Sequence, residues 1–227
     1  MKWAYDLHIH TAASPCGDAN MTPHNIVNMS LLKGLQVIAI TDHQTMENCE
    51  AVIKVGNEKG LKVLPGMEIE CMEEFHMIAL FKDCQTARQM QEWLWRYLPD
   101  RMNREDLFGS QSILNEWDEC VGEIKRLLLT AAQIPAYEII QQVRRLGGMI
   151  YPAHIDRMSY SILSNLGSIP IEYQFNQLEI SKQASKSAYE KKYSHLKVIQ
   201  SSDAHYLEDI SEVTQWIECD VLKPLGI

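Results

Sequence analysis

The chain has 227 residues, of which 46% are hydrophobic, so it can build one substantial core, and no run approaches the ~18 apolar residues that a membrane span requires. Its formal net charge of −9 disfavours the binding of long nucleic acid by bulk electrostatics, because that mode needs clustered lysine and arginine. The six cysteines are scattered without a Cys-x-x-Cys pair, which indicates reduced thiols and a cytoplasmic protein.

Short apolar segments alternate with amphipathic segments along most of the chain. Strands are predicted at residues 3–7, 35–40, 62–64, 67–70, 77–81, 149–152, 177–180 and 197–201. Helices are predicted between Pro23 and Gly34 and at residues 46–59, 86–98, 136–146, 160–165 and 184–195. Because the apolar strands are continuous rather than alternating, the pattern predicts an α/β fold with a buried parallel sheet.

Residues 100–127 interrupt this regular alternation. Phe108-Gly109-Ser110 and the stretch from Asn115 to Glu119 are typical of turns, here around a short strand or hairpin. We predict an irregular insertion, which either lies on the surface or forms a lid over the functional pocket.

Six of the eight histidines lie where a predicted strand ends, each with acidic or polar residues close by, and one further band carries a glutamate. The bands are Asp6-Leu7-His8-Ile9-His10, Thr41-Asp42-His43, Gly66-Met67-Glu68, Phe75-His76, Pro152-Ala153-His154 and Ser202-Asp203-Ala204-His205. In a parallel barrel the reactive groups lie at the carboxyl ends of the strands, so we expect these side chains to converge on a multinuclear metal site. Because one site then draws on residues from 8 to 205, we predict a single domain over residues 1–227.

The first and last bands share an i, i+2 spacing. On an extended strand, His8 and His10 face the same way and make half a metal shell, and Asp6 could fix the tautomer of one ring from behind. Asp203 and His205 repeat this spacing. The alternatives are a buried, hydrogen-bonded histidine pair and a surface turn.

In the middle bands the sequence leaves open which residue is the metal ligand. His43 is a candidate ligand with Asp42 as its orienting partner, although Asp42 could instead cap a helix. A buried Glu68 needs a counter-charge, which a position bridging two cations would supply, and Glu70 two residues later would share its face. Gly66 allows close backbone approach and favours Glu68.

The remaining candidates are interpreted as functional residues only because the other bands lie in the same sequence. Isolated histidines such as His76 and His154 are more often core residues than ligands. Either Cys16 or Asp18 could complete a third metal shell, or both could belong to a plain turn. Arg157 could hold a phosphate or form a surface ion pair. The other two histidines, His24 and His195, are expected to be solvated.

Taken in order, the motifs Asp-Leu-His-Ile-His-Thr, Ile-Thr-Asp-His, Pro-Gly-Met-Glu, the isolated His76, Pro-Ala-His and Ser-Asp-Ala-His resemble the PHP (polymerase and histidinol phosphatase) superfamily. The resemblance spans nearly the whole chain. It implies a distorted (β/α)7 barrel, similar to a TIM barrel, with two or three divalent ions such as zinc, manganese or iron.

The resemblance also implies three ligand sets. The first is His8, His10, Glu68 and Asp203; the second is Glu68, His76 and His154; the third is His43, His205 and the residue after Ser14-Pro15. That last position is usually His or Asp in the family, whereas here an ungapped match places Cys16 there.

These features predict a metal-dependent hydrolase of phosphate esters that uses a hydroxide bridging two ions. Glu68, Asp203 and His205 are the predicted catalytic centre, with Arg157 binding phosphate and Asp42 supporting the ligands. The expected substrate is a small phosphorylated metabolite, a nucleotide or a short oligonucleotide, since bound cations would make the cleft positive despite the acidic surface. The alternatives are an amidohydrolase or lactonase and a non-catalytic metal-binding regulator, and the sequence does not indicate an oligomeric state.

Overall fold

The computed structural model describes residues 1–226. The strands are β1 (Lys2–Ile9), β2 (Val37–Ile40), β3 (Lys62–Glu70), β4 (His76–Leu80), β5 (Ser112–Leu114), β6 (Cys120–Glu123), β7 (Met149–Pro152), β8 (Gln177–Ile180), β9 (Lys197–Gln200) and β10 (Trp216–Glu218). The helices are α1 (Pro23–Leu32), α2 (Cys49–Lys59), α3 (Cys84–Leu94), α4 (Glu105–Phe108), α5 (Ala136–Arg145), α6 (Ile162–Leu166), α7 (Lys186–Lys192) and α8 (Cys219–Leu222).

The main sheet has six strands in the order β10-β1-β2-β3-β4-β7. Strands β1, β2 and β3 are parallel, but β4 runs antiparallel to both β3 and β7, and β10 runs antiparallel to β1. The expectation of an all-parallel sheet is therefore wrong at β4. The cause is the short connection at residues 71–75, which joins β3 and β4 as a hairpin and leaves no room for a crossover helix.

A second, parallel pair formed by β8 and β9 continues the curl of the main sheet. Strand β8 packs beside β7, and the segment after β9 meets β1 again through a single bridge between Ile9 and Ala204. The α/β class is thus confirmed, as a curled half-barrel sheet with an added strand pair. Within residues 1–226, strand pairing does not form an unbroken ring of seven strand–helix units.

Two apolar clusters fill the two faces of the sheet. The outer cluster lies between strands and helices and includes Ile38 and Ile40 of β2 with Val52 of α2, whereas the inner cluster includes Val37 and Ala39 of β2. Continuous apolar strands are expected when both faces are covered.

The register of β1 against β2 shifts between Asp6 and Ile9. Leu7 belongs to the inner cluster but Ile9 belongs to the outer one. This bulge directs His8 and His10, which alternate with Ile9, towards the interior of the curl.

Helix boundaries differ from the sequence prediction where side chains take over backbone hydrogen bonds. Helix α2 begins at Cys49 rather than residue 46, because Gln91 Oε1 accepts hydrogen bonds from the Met46 amide (2.7 Å) and the Thr45 hydroxyl (2.9 Å). Helix α3 begins after the cap residue Asp83 and ends at Leu94, four residues before the predicted end. None of the helices in the described part of the chain has the length and apolar character needed to cross a bilayer.

The segment 100–127 contains the β5–β6 hairpin, as the turn signals indicated, and the short helix α4, which was not predicted. It is fastened to the flank of the domain by hydrogen bonds from the Ser112 amide to Ala12 O (2.8 Å) and from the Leu114 amide to Asn48 Oδ1 (2.8 Å). Arg101 is the residue of this segment that lines the large cavity described next.

Candidate metal centre

The candidate ligands meet at one edge of the curled sheet. β1 carries His8 and β3 carries Glu68. The segments that follow β1, β2, β7 and β9 carry His10, His43, His154, Asp203 and His205. His76 was expected after a strand, but it begins β4. Because β4 runs antiparallel to β3 and β7, its first residue lies at the same edge as their carboxyl ends.

Glu68 is the centre of this arrangement and is 1% exposed. Its carboxylate oxygens lie within 3.5 Å of five imidazole nitrogens: Oε1 is 2.8 Å from His76 Nδ1, 3.1 Å from His154 Nε2 and 3.4 Å from His8 Nε2, and Oε2 is 2.9 Å from His43 Nδ1 and 3.5 Å from His10 Nε2. Burial alone would raise the pKa of Glu68, but His76, His8 and His43 outweigh it and hold the pKa well below the ordinary glutamate value.

The donor set fits divalent cations. Glu68 Oε2 and His154 Nδ1 are buried without a hydrogen-bond partner in the described structure, and His8 Nε2 faces His10 Nε2 at 3.2 Å. Such a concentration of imidazole lone pairs around one carboxylate is typical of zinc, manganese or iron sites.

Three groups of side chains are close enough to share an ion. The first is His8, His10, Glu68 and Asp203; the second is His43, Glu68 and His76; the third is His10, His43 and His205. The first matches the ligand set implied by the family resemblance. His154 lies beside the second group through its 3.1 Å contact with Glu68.

Cys16 and Asp18, the two alternatives for the third set, have different surroundings. The Cys16 thiol faces His205 and His43; their hydrogen bonds outweigh the effect of burial and lower its pKa to about 7. The Asp18 carboxylate instead accepts a hydrogen bond from the Asn20 amide (2.8 Å), and Cys16, unlike Asp18, lines the cavity. This geometry favours Cys16.

Asp203 is shared between the imidazoles and an arginine. Its Oδ1 lies 3.0 Å from His10 Nε2 and 3.2 Å from His8 Nε2, and its Oδ2 is 2.5 Å from Arg157 Nη1. The Arg157 side chain is 42% exposed and lines the cavity, so its remaining donors are open to a ligand.

Asp42 acts on the site through Ser14. Its carboxylate accepts hydrogen bonds from Ser14 Oγ (2.7 Å) and from the amide and hydroxyl of Thr11 (both 2.7 Å), and Ser14 Oγ lies 2.9 Å from His10 Nδ1. The expected contact of Asp42 with His43 is replaced by this link to His10.

Glu179 is a site residue that the sequence did not reveal. Its Oε1 is 2.8 Å from His8 Nδ1 and so occupies the place that was expected for Asp6. The Asp6 carboxylate instead accepts hydrogen bonds from the amides of Ser202 (3.0 Å) and Ser211 (2.9 Å). A lone acid inside the apolar strand β8 was the available signal, because a buried carboxylate needs a partner.

Glu70 lies on the wall of the cavity rather than in a candidate ligand group. Burial raises its pKa to about 7. The structure thus separates the two glutamates that the sequence left as alternatives, with Glu68 at the centre of the imidazole cluster.

A cavity of about 550 Å³ opens over these groups. Its wall includes Arg101, Gln133, Arg157, Ser159 and Tyr160. Four residues that line it have positive φ although they are not glycine: Glu74 (61°), His154 (27°), Tyr160 (52°) and Asp203 (54°). Such strained backbone is concentrated at functional sites.

Comparison with known proteins identifies the family. The PHP domain model matches residues 6–208, so the chain belongs to the PHP domain family. The 5′-3′ exoribonuclease Rnm of Escherichia coli is 30% identical over 159 residues, which cover 67% of this chain and 47% of that protein. An uncharacterised protein of Methanocaldococcus jannaschii is 38% identical over 84 residues, which cover 34% of this chain and 48% of that protein. The chain thus spans about half, or less, of the length of the curated relatives it matches.

Solved structures share the fold. The lesion-specific endonuclease PfuEndoQ of Pyrococcus furiosus superimposes with a TM-score of 0.70 at 20% identity, over 91% of this chain and 49% of that chain. A protein of Bifidobacterium adolescentis, provisionally described as a metal-dependent phosphoesterase, gives a TM-score of 0.66 at 19% identity, over 97% of this chain and 94% of that chain.

These comparisons confirm the predicted superfamily. The Escherichia coli relative is a nuclease by name, which agrees with the predicted class of enzyme, a phosphoesterase. One expectation is in conflict with these names. The Escherichia coli relative is a ribonuclease by name and PfuEndoQ a lesion-specific endonuclease, whereas the acidic charge of this chain disfavoured long nucleic acid.

Proposed function

We propose that this chain hydrolyses phosphate esters of small molecules, nucleotides or short oligonucleotides, and that His8, His10, His43, Glu68, His76, His154, Asp203, His205 and Cys16 hold two or three divalent ions. The observation that carries the proposal is the buried Glu68 carboxylate within 3.5 Å of five imidazole nitrogens at the base of a cavity. When bound, such ions lower the pKa of a water molecule and neutralise charge on the phosphoryl oxygens.

The chain's own residues supply binding and orientation. Arg157 is anchored by Asp203 and presents its other guanidinium donors to the phosphoryl group. Glu179 fixes the His8 ring, and the Asp42–Ser14 pair fixes the His10 ring. In the hydrolysis, the oxygen of water forms a new bond to phosphorus and the ester P–O bond breaks. The water gives up one proton and the leaving oxygen takes up one, so the overall reaction consumes one water molecule.

Short nucleic acids are compatible with the acidic composition. The charge of −9 belongs to the whole chain. The cavity is lined by two arginines and four acidic residues, Arg101, Arg157, Glu68, Glu70, Glu74 and Asp203, and two or three bound divalent ions would make it positive. The nucleases among the relatives support nucleotides and oligonucleotides as substrates, and the acidic surface favours short ones.

The test is hydrolysis by purified protein reconstituted with Mn²⁺ or Zn²⁺. The panel contains p-nitrophenyl phosphate, nucleoside monophosphates, dinucleotides, longer single strands, a cyclic amide and a lactone. We expect turnover of phosphate esters that is lost in His8→Ala and Asp203→Ala but kept in His195→Ala, a matched change at an exposed histidine outside the cluster. Turnover that survives the first two substitutions, or that is restricted to the amide or lactone, would reject the proposal.

A further inference from the structure

Tyr160 places an exposed aromatic ring beside the candidate metal centre. Its ring stacks on the His76 ring with 4.9 Å between centroids and 26° between planes. The residue is 52% exposed and lines the cavity, so the ring does not serve to fill the core.

The backbone around Tyr160 is firmly held. The Tyr160 carbonyl accepts a hydrogen bond from the His76 amide (3.0 Å), and the next residue, Ser161, donates its hydroxyl to the Arg157 carbonyl (2.7 Å) and caps α6. The φ angle of 52° is rare for an aromatic residue and costs free energy that the surrounding contacts must offset. A ring fixed in this way loses little entropy when a ligand binds to it.

An exposed ring that is fixed beside a phosphate-binding site is suited to a flat ligand group. Aromatic side chains stack on nucleobases with little preference among bases, since every base has a π-face. Arg157, three residues earlier in the same loop, is the proposed phosphate ligand, so one loop can present contacts for both parts of a nucleotide.

We propose that Tyr160 is a specificity-determining residue that stacks on the nucleobase of the substrate, and that the hydrolysed ester is therefore that of a nucleotide. This inference rests on the proposed phosphoesterase function. A free mononucleotide and the terminal nucleotide of an oligonucleotide offer the same base and phosphate, so the experiment includes both.

The kinetic test compares AMP, the dinucleotide pApA and ribose 5-phosphate, which lacks the base, on the metal-reconstituted protein. We expect Tyr160→Ala to lower kcat/KM for AMP or for pApA roughly 10-fold, as for loss of one stacked base, and to leave ribose 5-phosphate nearly unchanged. Tyr160→Phe keeps the ring and should keep the preference. Tyr137→Ala is the matched control, because Tyr137 is 45% exposed on α5 and lies outside the cavity lining.

A binding test separates this inference from the proposed function. The fluorescence of 1,N6-ethenoadenosine monophosphate is followed during titration with the reconstituted protein, and stacking should quench it in the wild type and Tyr160→Phe but not in Tyr160→Ala. If no ester is hydrolysed, the proposed function fails while this titration still decides the stacking.

Two results would overturn the inference. One is an equal loss of activity on AMP and ribose 5-phosphate in Tyr160→Ala, which would mean that the ring only positions His76. The other is a probe whose fluorescence and affinity are the same in Tyr160→Ala and in the wild type. The thermal unfolding midpoint of each variant checks that a loss does not come from misfolding.

Discussion

Glu68 shows how this fold keeps a carboxylate charged in its interior. No lysine or arginine is paired with it among the described residues; its charge is balanced by imidazoles from five different histidines. Imidazoles are also ligands, so the residues that make the buried charge tolerable are the ones that would bind cations. The same histidines therefore balance the buried charge of Glu68 and provide the nitrogen ligands for cations.

Glu179 gives a prediction about metal affinity. Glu179→Gln removes the charged acceptor 2.8 Å from His8 Nδ1, which orients the ring and makes its other nitrogen a better ligand. We expect the affinity for Zn²⁺ to fall about 10- to 100-fold, measured by competition with a chromophoric chelator. The control is Glu172→Gln, at an exposed position, and equal affinities for the two variants would contradict the role of Glu179.

Cys16 gives a prediction about metal content. Its thiol faces His43 and His205, whereas the Asp18 carboxylate is engaged with the Asn20 amide. We expect Cys16→Ala to bind one ion fewer per chain, Cys16→His to restore that ion, and Asp18→Ala to match the wild type, as counted by elemental analysis after dialysis. An ion lost only in Asp18→Ala would reverse the assignment.

At the scale of elements, strand β4 determines whether the site is complete. A βα unit would have placed the first residue of β4 at the amino-terminal edge of the sheet, far from Glu68. The hairpin reverses the strand, and Glu70 pairs with His76 across the β3–β4 ladder. The side chain of His76 reaches Glu68 Oε1 as a result.

Helix α3 gives a prediction about stability and pH. The Asp83 carboxylate caps the helix by accepting hydrogen bonds from the Thr86 amide and hydroxyl (both 2.7 Å), and these bonds lower the pKa of Asp83. We expect Asp83→Ala to reduce the free energy of unfolding by about 0.5–2 kcal/mol at neutral pH, measured with urea.

The pH dependence of this cap has a defined sign. Because the pKa of Asp83 is lower in the folded state, its contribution is full above the ordinary aspartate pKa and is lost as the pH falls through the folded-state value. The difference between wild type and Asp83→Ala should therefore shrink on acidification. Glu92→Ala, exposed on the same helix, is the control and should show no such trend.

At the scale of the whole molecule, metal removal should lower stability. A ligand that binds only the folded state adds about 2.7 kcal/mol at 100 times its Kd, and for a chain of this size each kcal/mol shifts Tm by roughly 2–4 °C. We expect a chelator to lower Tm by several degrees and added Zn²⁺ or Mn²⁺ to restore it, measured by calorimetry. His8→Ala should show a smaller response, and an unchanged wild-type Tm would argue against ions bound in the core.

Much of this architecture could be predicted from the sequence. The boundaries of β7 and β8 agree with the apolar runs at residues 149–152 and 177–180, because short continuous runs flanked by polar residues leave little choice. The histidine bands converge as expected, because all of them except His76 lie at or just after the carboxyl end of a strand. The direction of β4, the bulge in β1 and the Glu179–His8 contact could not be predicted, since each depends on pairing between distant segments.

The bridge between Ile9 and Ala204 joins the first strand to the loop that carries Asp203 and His205, through hydrogen bonds from the His10 amide to Ala204 O (2.9 Å) and from the Ala204 amide to His8 O (3.2 Å). A bridge of two hydrogen bonds opens at a lower free-energy cost than a full strand pair. Its opening would move Asp203 and His205 away from His8 and His10 together. The rate at which a bound ion exchanges with solvent would then depend on local opening of this bridge and not on global unfolding. A protein that resists denaturant would therefore still lose its ions quickly.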